Sequence, residues 1–244
     1  MIDKIDKDNM YKSILDFSDN ILDAVKLGDS IKFLNDYSSI NKIIVAGMGG
    51  SAIGGDVSYA LVNDEIIIPY LVVRGYNIPT WVDSSTLVIC SSYSGNTEET
   101  LNVLSSGYKM KCKLLAFSNG GKIQEYCNDK GVNHRNISMI HSPRASFPAF
   151  LFSILRNLES FLPIEKADII NSLNELEKQR DSISSNNLSE NNPAINLAGS
   201  ISEIPLIYYP WGLQAAAIRF KNSLQENTKI HAISEDVIEA CHNG

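Results

Sequence analysis

Two short stretches carry residue types suited to holding an anion. The first is GMGGSAIGGD, residues 47–56. Its glycines at 47, 49 and 50 allow a sharp turn with no Cβ in the way of a ligand, and Ser51 follows where a helix would open. Backbone N–H groups at such a helix start, with the helix dipole behind them, favour negative charge. The second stretch is SSYSGNTEET, residues 91–100, in which the hydroxyls of Ser92, Ser94 and Thr97 surround Gly95. A phosphate monoester is held by many short donors without bulky side chains, and hydroxyls beside helix N–H groups are such donors. A simple helix cap needs one hydroxyl, not three.

Gly47, Gly49 and Ala52 also fit GxGxxA, a variant of the dinucleotide fingerprint. The acid expected about 20 residues further on is missing. The apolar run at that place ends in Val73–Arg74, which at best suits a 2′-phosphate. A dinucleotide would leave the second stretch without a task. A phosphorylated sugar uses both.

Other residues are less telling by type. Glu226, in QEN at the end of a helical stretch, reads alone as a solvated carboxylate, and Arg144 as a surface cation. His242 stands close to the last residue, where chain ends fray. His134, His141 and His231 match no motif and are expected to be structural or exposed. Trp81, Tyr208, Tyr209 and Trp211 are expected in core or domain packing. Cys90, Cys112, Cys127 and Cys241 show no CxxC spacing, so no metal site is expected and the thiols should stay reduced.

The net charge of −7, with Lys and Arg scattered, argues against a nucleic-acid surface, which needs a basic stripe. The longest apolar run, Ile66 to Val73, contains Pro69 and falls far short of the ~20 residues of a membrane helix. Residues 1–12 are charged throughout, unlike a secretory leader. A soluble, cytoplasmic protein with no membrane partner is expected.

The elements that must position these residues follow from hydrophobic period. Apolar spacing predicts a helix over 10–37, then strands at 43–47, 66–73, 86–92 and 113–117. Helices are predicted between them at 51–62, 97–109 and 121–129, with a weaker extended segment at 132–140. Strands that are apolar throughout and alternate with helices predict a doubly wound parallel α/β sheet, covered on both faces. Both glycine–hydroxyl stretches then lie at the carboxyl ends of strands, where ligands bind in such sheets.

After SPRASFPAF (142–150) a helix to about Leu162 is predicted, then a polar helix over 165–181 and a loop over 184–193. A second α/β pattern begins with a strand at 204–209, a helix at 211–227 and a strand at 229–233. Residues 234–241 should open another helix with Ser234 as its cap. The expected division is residues 1–160 as the first, phosphosugar-binding domain and residues 161–244 as a second, incomplete one with exposed strand edges.

GMGGSAIGGD, RGYNIP (74–79), SSYSGNTEETL (91–101), PRASF (143–147), RFKNSLQENTKI (219–230) and EACHNG (239–244) occur in an order and spacing that resemble one family. It is the SIS-domain bifunctional phosphoglucose/phosphomannose isomerases. The resemblance covers the chain from about residue 40 onward. It implies an SIS-type sheet of flavodoxin-like order, with one complete SIS unit and an incomplete second. It implies an aldose–ketose isomerase that interconverts glucose 6-phosphate or mannose 6-phosphate and fructose 6-phosphate through an enediol, with no metal or other cofactor.

By the same resemblance Ser51, Ser92, Ser94 and Thr97 hold the phosphate, supported by the backbone at Gly49, Gly50 and Gly95. Glu226 is the proton-transfer base, Arg144 faces the developing negative charge, and His242 opens the sugar ring from the neighbouring subunit of a homodimer. Family members run longer, and the part absent here carries a further Lys and the remaining strands. The resemblance therefore also leaves room for a non-catalytic sugar-phosphate-binding protein or for another SIS enzyme class.

Overall fold

The computed structural model describes residues 6–28, 38–137, 142, 145–159, 161 and 165–243. They form two compact units, Met1–Leu162 and Pro163–Gly244.

In the first unit two helices, α1 (Met10–Leu15) and α2 (Phe17–Gly28), precede the sheet. Five strands follow: β1 (Lys42–Ala46), β2 (Tyr70–Val73), β3 (Thr86–Ser92), β4 (Lys113–Ser118) and β5 (Asn133–Asn136). All pair in parallel in the order β2-β1-β3-β4-β5, which is the flavodoxin-like order expected. The central strand β3 is buried at every position because helices cover both faces of the sheet.

Alternate residues of the strands serve the two faces. Ile44, Ala46, Val88, Cys90 and Ala116 meet Val103 and Leu104 of α4 (Glu98–Lys109), and Ile123 and Cys127 of α5 (Gly121–Lys130). On the other face lies α3 (Gly50–Ala60), backed by α6 (Phe147–Leu158). Its glycines allow close approach. A Cβ at Gly55 would stand 2.8 Å from Cγ1 of Val45, and one at Gly54 would stand 3.1 Å from Cδ1 of Ile154. Each fully buried Ile, Leu or Phe here contributes about 1.5–3 kcal/mol.

From β2 to β3 the chain crosses without a helix. Ile78 and Val82 of this crossover pack into the cluster under α4 and α5. The sheet grows one way from β1 to β2 and the other way from β3 onward, so β1 and β3 flank the switch point.

The structure departs from the sequence reading at one strand of this unit. β2 spans only Tyr70–Val73, not 66–73, and Ile67 is 96% exposed. Pro69 has no N–H for the ladder, so pairing starts where its carbonyl accepts from Ile43 N–H at 2.8 Å. The N-terminal helix is divided into α1 and α2, and residues 29–37 of that expectation lie outside the described residues.

The second unit holds α7 (Lys166–Ile183), α8 (Pro193–Ser200), β6 (Leu206–Tyr209), α9 (Gln214–Thr228), β7 (Ile233–Asp236) and α10 (Val237–Asn243). β6 and β7 pair in parallel, with α9 as the crossover between them. The strand expected at 229–233 lies instead at 233–236. Lys229 closes α9 in the left-handed conformation (φ 63°), its N–H donating to Gln225 O at 3.2 Å. Residues 230–232 then carry the chain back to the ladder, which begins at Ile233 N–H on Pro205 O.

Ser234 is consequently a strand residue, not a cap. Asp236 takes that role, its Oδ1 accepting from Ile238 N–H at 2.8 Å. The sequence reading also missed α8. Its signal is Asn192, whose Oδ1 accepts from Ala194 and Ile195 N–H, followed by Pro193 at the first helical position. Trp81, Tyr208 and Trp211 are exposed, so none of them takes the place in a core that was one expectation for them.

Candidate phosphate site

The loops that follow β1 and β3 are neighbours because those strands are paired, Ala46 opposite Cys90. At the first loop Gly47 N–H donates to Val73 O at 3.2 Å, which ties the turn to the end of β2. A Cβ on Gly47 would stand 3.0 Å from the carbonyl oxygen of Ser91, so the loop lies directly against the end of β3. Gly49 holds φ 52° and ψ −126° at the N-cap of α3, a conformation for glycine alone, and no side chain caps this helix. Ser51 is buried, and its hydroxyl makes no hydrogen bond among the described residues. A hydroxyl in the first turn of a helix, beside its free N–H groups, suits an anionic oxygen.

The second loop is internally wired. Ser92 is buried at the end of β3, and its Oγ lies 2.8 Å from Thr97 Oγ1 and accepts from Gly95 N–H at 3.1 Å. Thr97 occupies the N-cap of α4 but makes no side-chain cap bond, its hydroxyl being engaged with Ser92. Ser94 is exposed, and its Oγ accepts from Asn96 N–H at 3.2 Å. That bond occupies a lone pair and leaves the hydroxyl proton free to donate outward.

A third loop, after β4, joins them and was not singled out from sequence. Asn119 N–H donates to Tyr93 O at 3.1 Å, Ile123 N–H to Gly95 O at 2.9 Å, and Lys122 N–H to Asn96 Oδ1 at 3.2 Å. Its signal was in the chain: SNGGK, residues 118–122, puts two glycines between an apolar strand and a helix, as the first loop does.

The crossover after β2 walls the same edge. Asn102 of α4 donates through Nδ2 to Tyr76 O at 2.7 Å. Arg74, which sequence offered at best to a 2′-phosphate, is ion-paired with Asp56 of α3. Burial pushes the Asp56 carboxyl above its ordinary value, opposed by the Arg74 guanidinium. An Arg already holding a mostly buried carboxylate is not available to a nucleotide. Behind the third loop, Ser118 Oγ donates to Gly120 O at 2.7 Å and lies 2.7 Å from His134 Nε2. His134 is thus a structural residue, held below its ordinary pKa by burial.

Ser51, Ser92, Ser94 and Thr97, with Gly49, Gly50 and Gly95, therefore belong to the two adjoining loops of the first unit. Arg144 lies outside the described residues. Glu226 stands exposed on the last turn of α9, and His242 exposed on α10, both in the second unit. Among the described residues no cluster of His, Cys, Asp and Glu could hold a metal ion, and no helix is long and apolar enough to cross a membrane.

Residues 190–244 match the family model of the bacterial phospho-glucose isomerase C-terminal SIS domain. The bifunctional phosphoglucose/phosphomannose isomerase of Caldicellulosiruptor bescii is 33% identical over 238 residues, covering 96% of this chain and 70% of that protein. The D-glucosamine-6-phosphate 4-epimerase of Sulfolobus acidocaldarius is 30% identical over 205 residues, covering 83% of this chain and 62% of that protein. Among solved structures, tagatose-6-phosphate ketose/aldose isomerase from Escherichia coli superposes with a TM-score of 0.67 at 17% identity, over 95% of this chain and 67% of that one. That likeness shows the SIS-type fold. Identity of this level along nearly the whole chain, on a sheet whose switch point carries both glycine–hydroxyl loops, shows that the chain belongs to the bifunctional phosphoglucose/phosphomannose isomerase family.

Proposed function

We propose that this chain binds hexose 6-phosphates and interconverts glucose 6-phosphate or mannose 6-phosphate with fructose 6-phosphate. The observation that carries the reading is the pairing of β1 with β3, which sets the Gly49–Ser51 turn beside the Ser92–Thr97 loop. Two helix N-termini and the hydroxyl-bearing loops that lead into them then share one edge of the sheet, which supports the reading of a phosphate site there.

In the reaction the ring opens, a carboxylate removes the proton from C2 of the aldose, and the resulting enediol is reprotonated at C1. The carbonyl double bond moves from C1 to C2, and no electron leaves the sugar. We assign the carboxylate to Glu226, the cation facing the enediolate oxygen to Arg144, and ring opening to His242. A carboxylate serves as base when partly withdrawn from water. Exposure of Glu226 and His242 in the single chain supports a homodimer in which His242 is supplied across the interface. Dianionic esters do not cross bilayers unaided, which supports a cytoplasmic setting.

Coupled assays with glucose 6-phosphate and with mannose 6-phosphate test this reading. Glu226→Gln should abolish turnover and keep binding of fructose 6-phosphate. A second reading, a phosphosugar-binding protein of other chemistry, is favoured by the epimerase relative. It would be supported by binding without isomerisation of either aldose.

A further inference from the structure

We propose that the first turn of α5, with Gly120, Gly121 and Asn96, is a positioning clamp that holds the Ser92–Thr97 loop in its ligand-ready shape and aims the Ser94 hydroxyl. This rests on the phosphate reading above and assigns the loop its support.

A helix start at the ligand edge of a parallel sheet is ordinarily an anion site, because its first N–H groups lack partners. In α5, a helix of 10 residues, two of those groups are in use. Lys122 N–H is taken by Asn96 Oδ1 at 3.2 Å and Ile123 N–H by Gly95 O at 2.9 Å. The positive end of α5 is therefore directed at the phosphate loop rather than at a second ligand.

A donor placed on the Gly95 carbonyl polarises the peptide whose N–H belongs to Asn96. That N–H donates to Ser94 Oγ at 3.2 Å, so the chain of bonds runs from α5 through one peptide to Ser94. Asn96 Nδ2 adds a bond to Ser94 O at 3.1 Å. With its oxygen accepting, Ser94 presents its single proton outward.

The approach is possible only for glycine. A Cβ on Gly95 would fall 1.8 Å from Gly120 O. One on Gly121 would fall 2.6 Å from Ser94 O and 2.9 Å from Asn96 Oδ1, and both residues hold φ +68°. From below, Ser118 Oγ bonds Gly120 O at 2.7 Å and Asn119 Nδ2 bonds Ile137 O at 2.8 Å, fixing the turn on β4 and the end of β5.

Calorimetric titration of the full chain with fructose 6-phosphate and with inorganic phosphate tests the clamp. Asn96→Ala removes the acceptor for Lys122 N–H and should weaken both ligands by one common factor, about tenfold. Gly121→Ala should do the same by pushing on Ser94; should it fail to fold, Asn96→Ala decides. In turnover, KM should rise by that factor while kcat stays within about twofold, because only the phosphate end is touched. A purely structural role would lower the unfolding temperature and leave the affinity of the folded protein unchanged, and that result overturns the clamp while the phosphate reading stands. If the unsubstituted chain binds neither ligand, the phosphate reading itself falls and the clamp with it.

Discussion

Gly95 and Gly120 touch so closely that a methyl group on the first would occupy the carbonyl oxygen of the second, at 1.8 Å. They lie in loops after different strands, and the contact exists because β3 and β4 end in register, Ser92 opposite Ser118. Gly95→Ala must both distort this contact and hold a side chain at φ +68°. The second cost alone is about 1–3 kcal/mol. Denaturant unfolding should show at least that loss, with fructose 6-phosphate binding lost as well; unchanged binding would show that the contact is incidental.

The hydroxyls of the second loop should separate into two classes. Ser94 is exposed, so Ser94→Ala should weaken fructose 6-phosphate by about tenfold and leave the unfolding midpoint in place. Ser92 is buried and serves Gly95 N–H and Thr97. Ser92→Ala should cost about 1–3 kcal/mol of stability besides affinity. Paired titrations and melts of both variants decide the matter, and identical behaviour would contradict the geometry.

Arg74 and Asp56 should behave as a coupled pair. Arg74→Ala leaves a mostly buried carboxylate without its cation, at a cost of about 1–3 kcal/mol. Asp56→Ala in the same chain should recover part of that loss, because the stranded charge is gone. A strictly additive double-mutant cycle would refute the pairing. NADPH should not bind, since the guanidinium is engaged.

His134 should make the first unit sensitive to mild acid. Burial depresses its folded-state pKa below the ordinary histidine value of 6.5, so the unfolded chain binds the proton more readily. The neutral ring's contribution is complete above 6.5 and is lost as pH falls through the lower, folded-state value. Unfolding midpoints measured downward from neutral pH should fall across that window, and His134→Asn should flatten the fall. A slope unaffected by the substitution would assign the acid sensitivity to another group.

Much of the ligand edge was legible in the sequence because it is written locally. β3 and the helix after it coincide with their expected spans almost residue for residue, since an apolar run and a glycine–hydroxyl turn are short-range signals. The alternation of strands and helices likewise fixed a parallel sheet, because parallel strands need crossovers. Where a signal was local but weak, the reading slipped. Pro69 shortens β2, and Lys229 in a left-handed turn moves β7 by several residues, an effect of one dihedral that hydrophobic period does not record.

Tertiary structure alone decided what supports the site. Asn96 and Lys122 stand 26 positions apart and share a hydrogen bond only because β4 pairs with β3. The commitment of Arg74 to Asp56 depends in the same way on β2 lying beside β1 under α3. Spacing along the chain specifies turns and periods. Which turns face one another is set by strand order, and strand order is settled by burying both faces of the sheet at once.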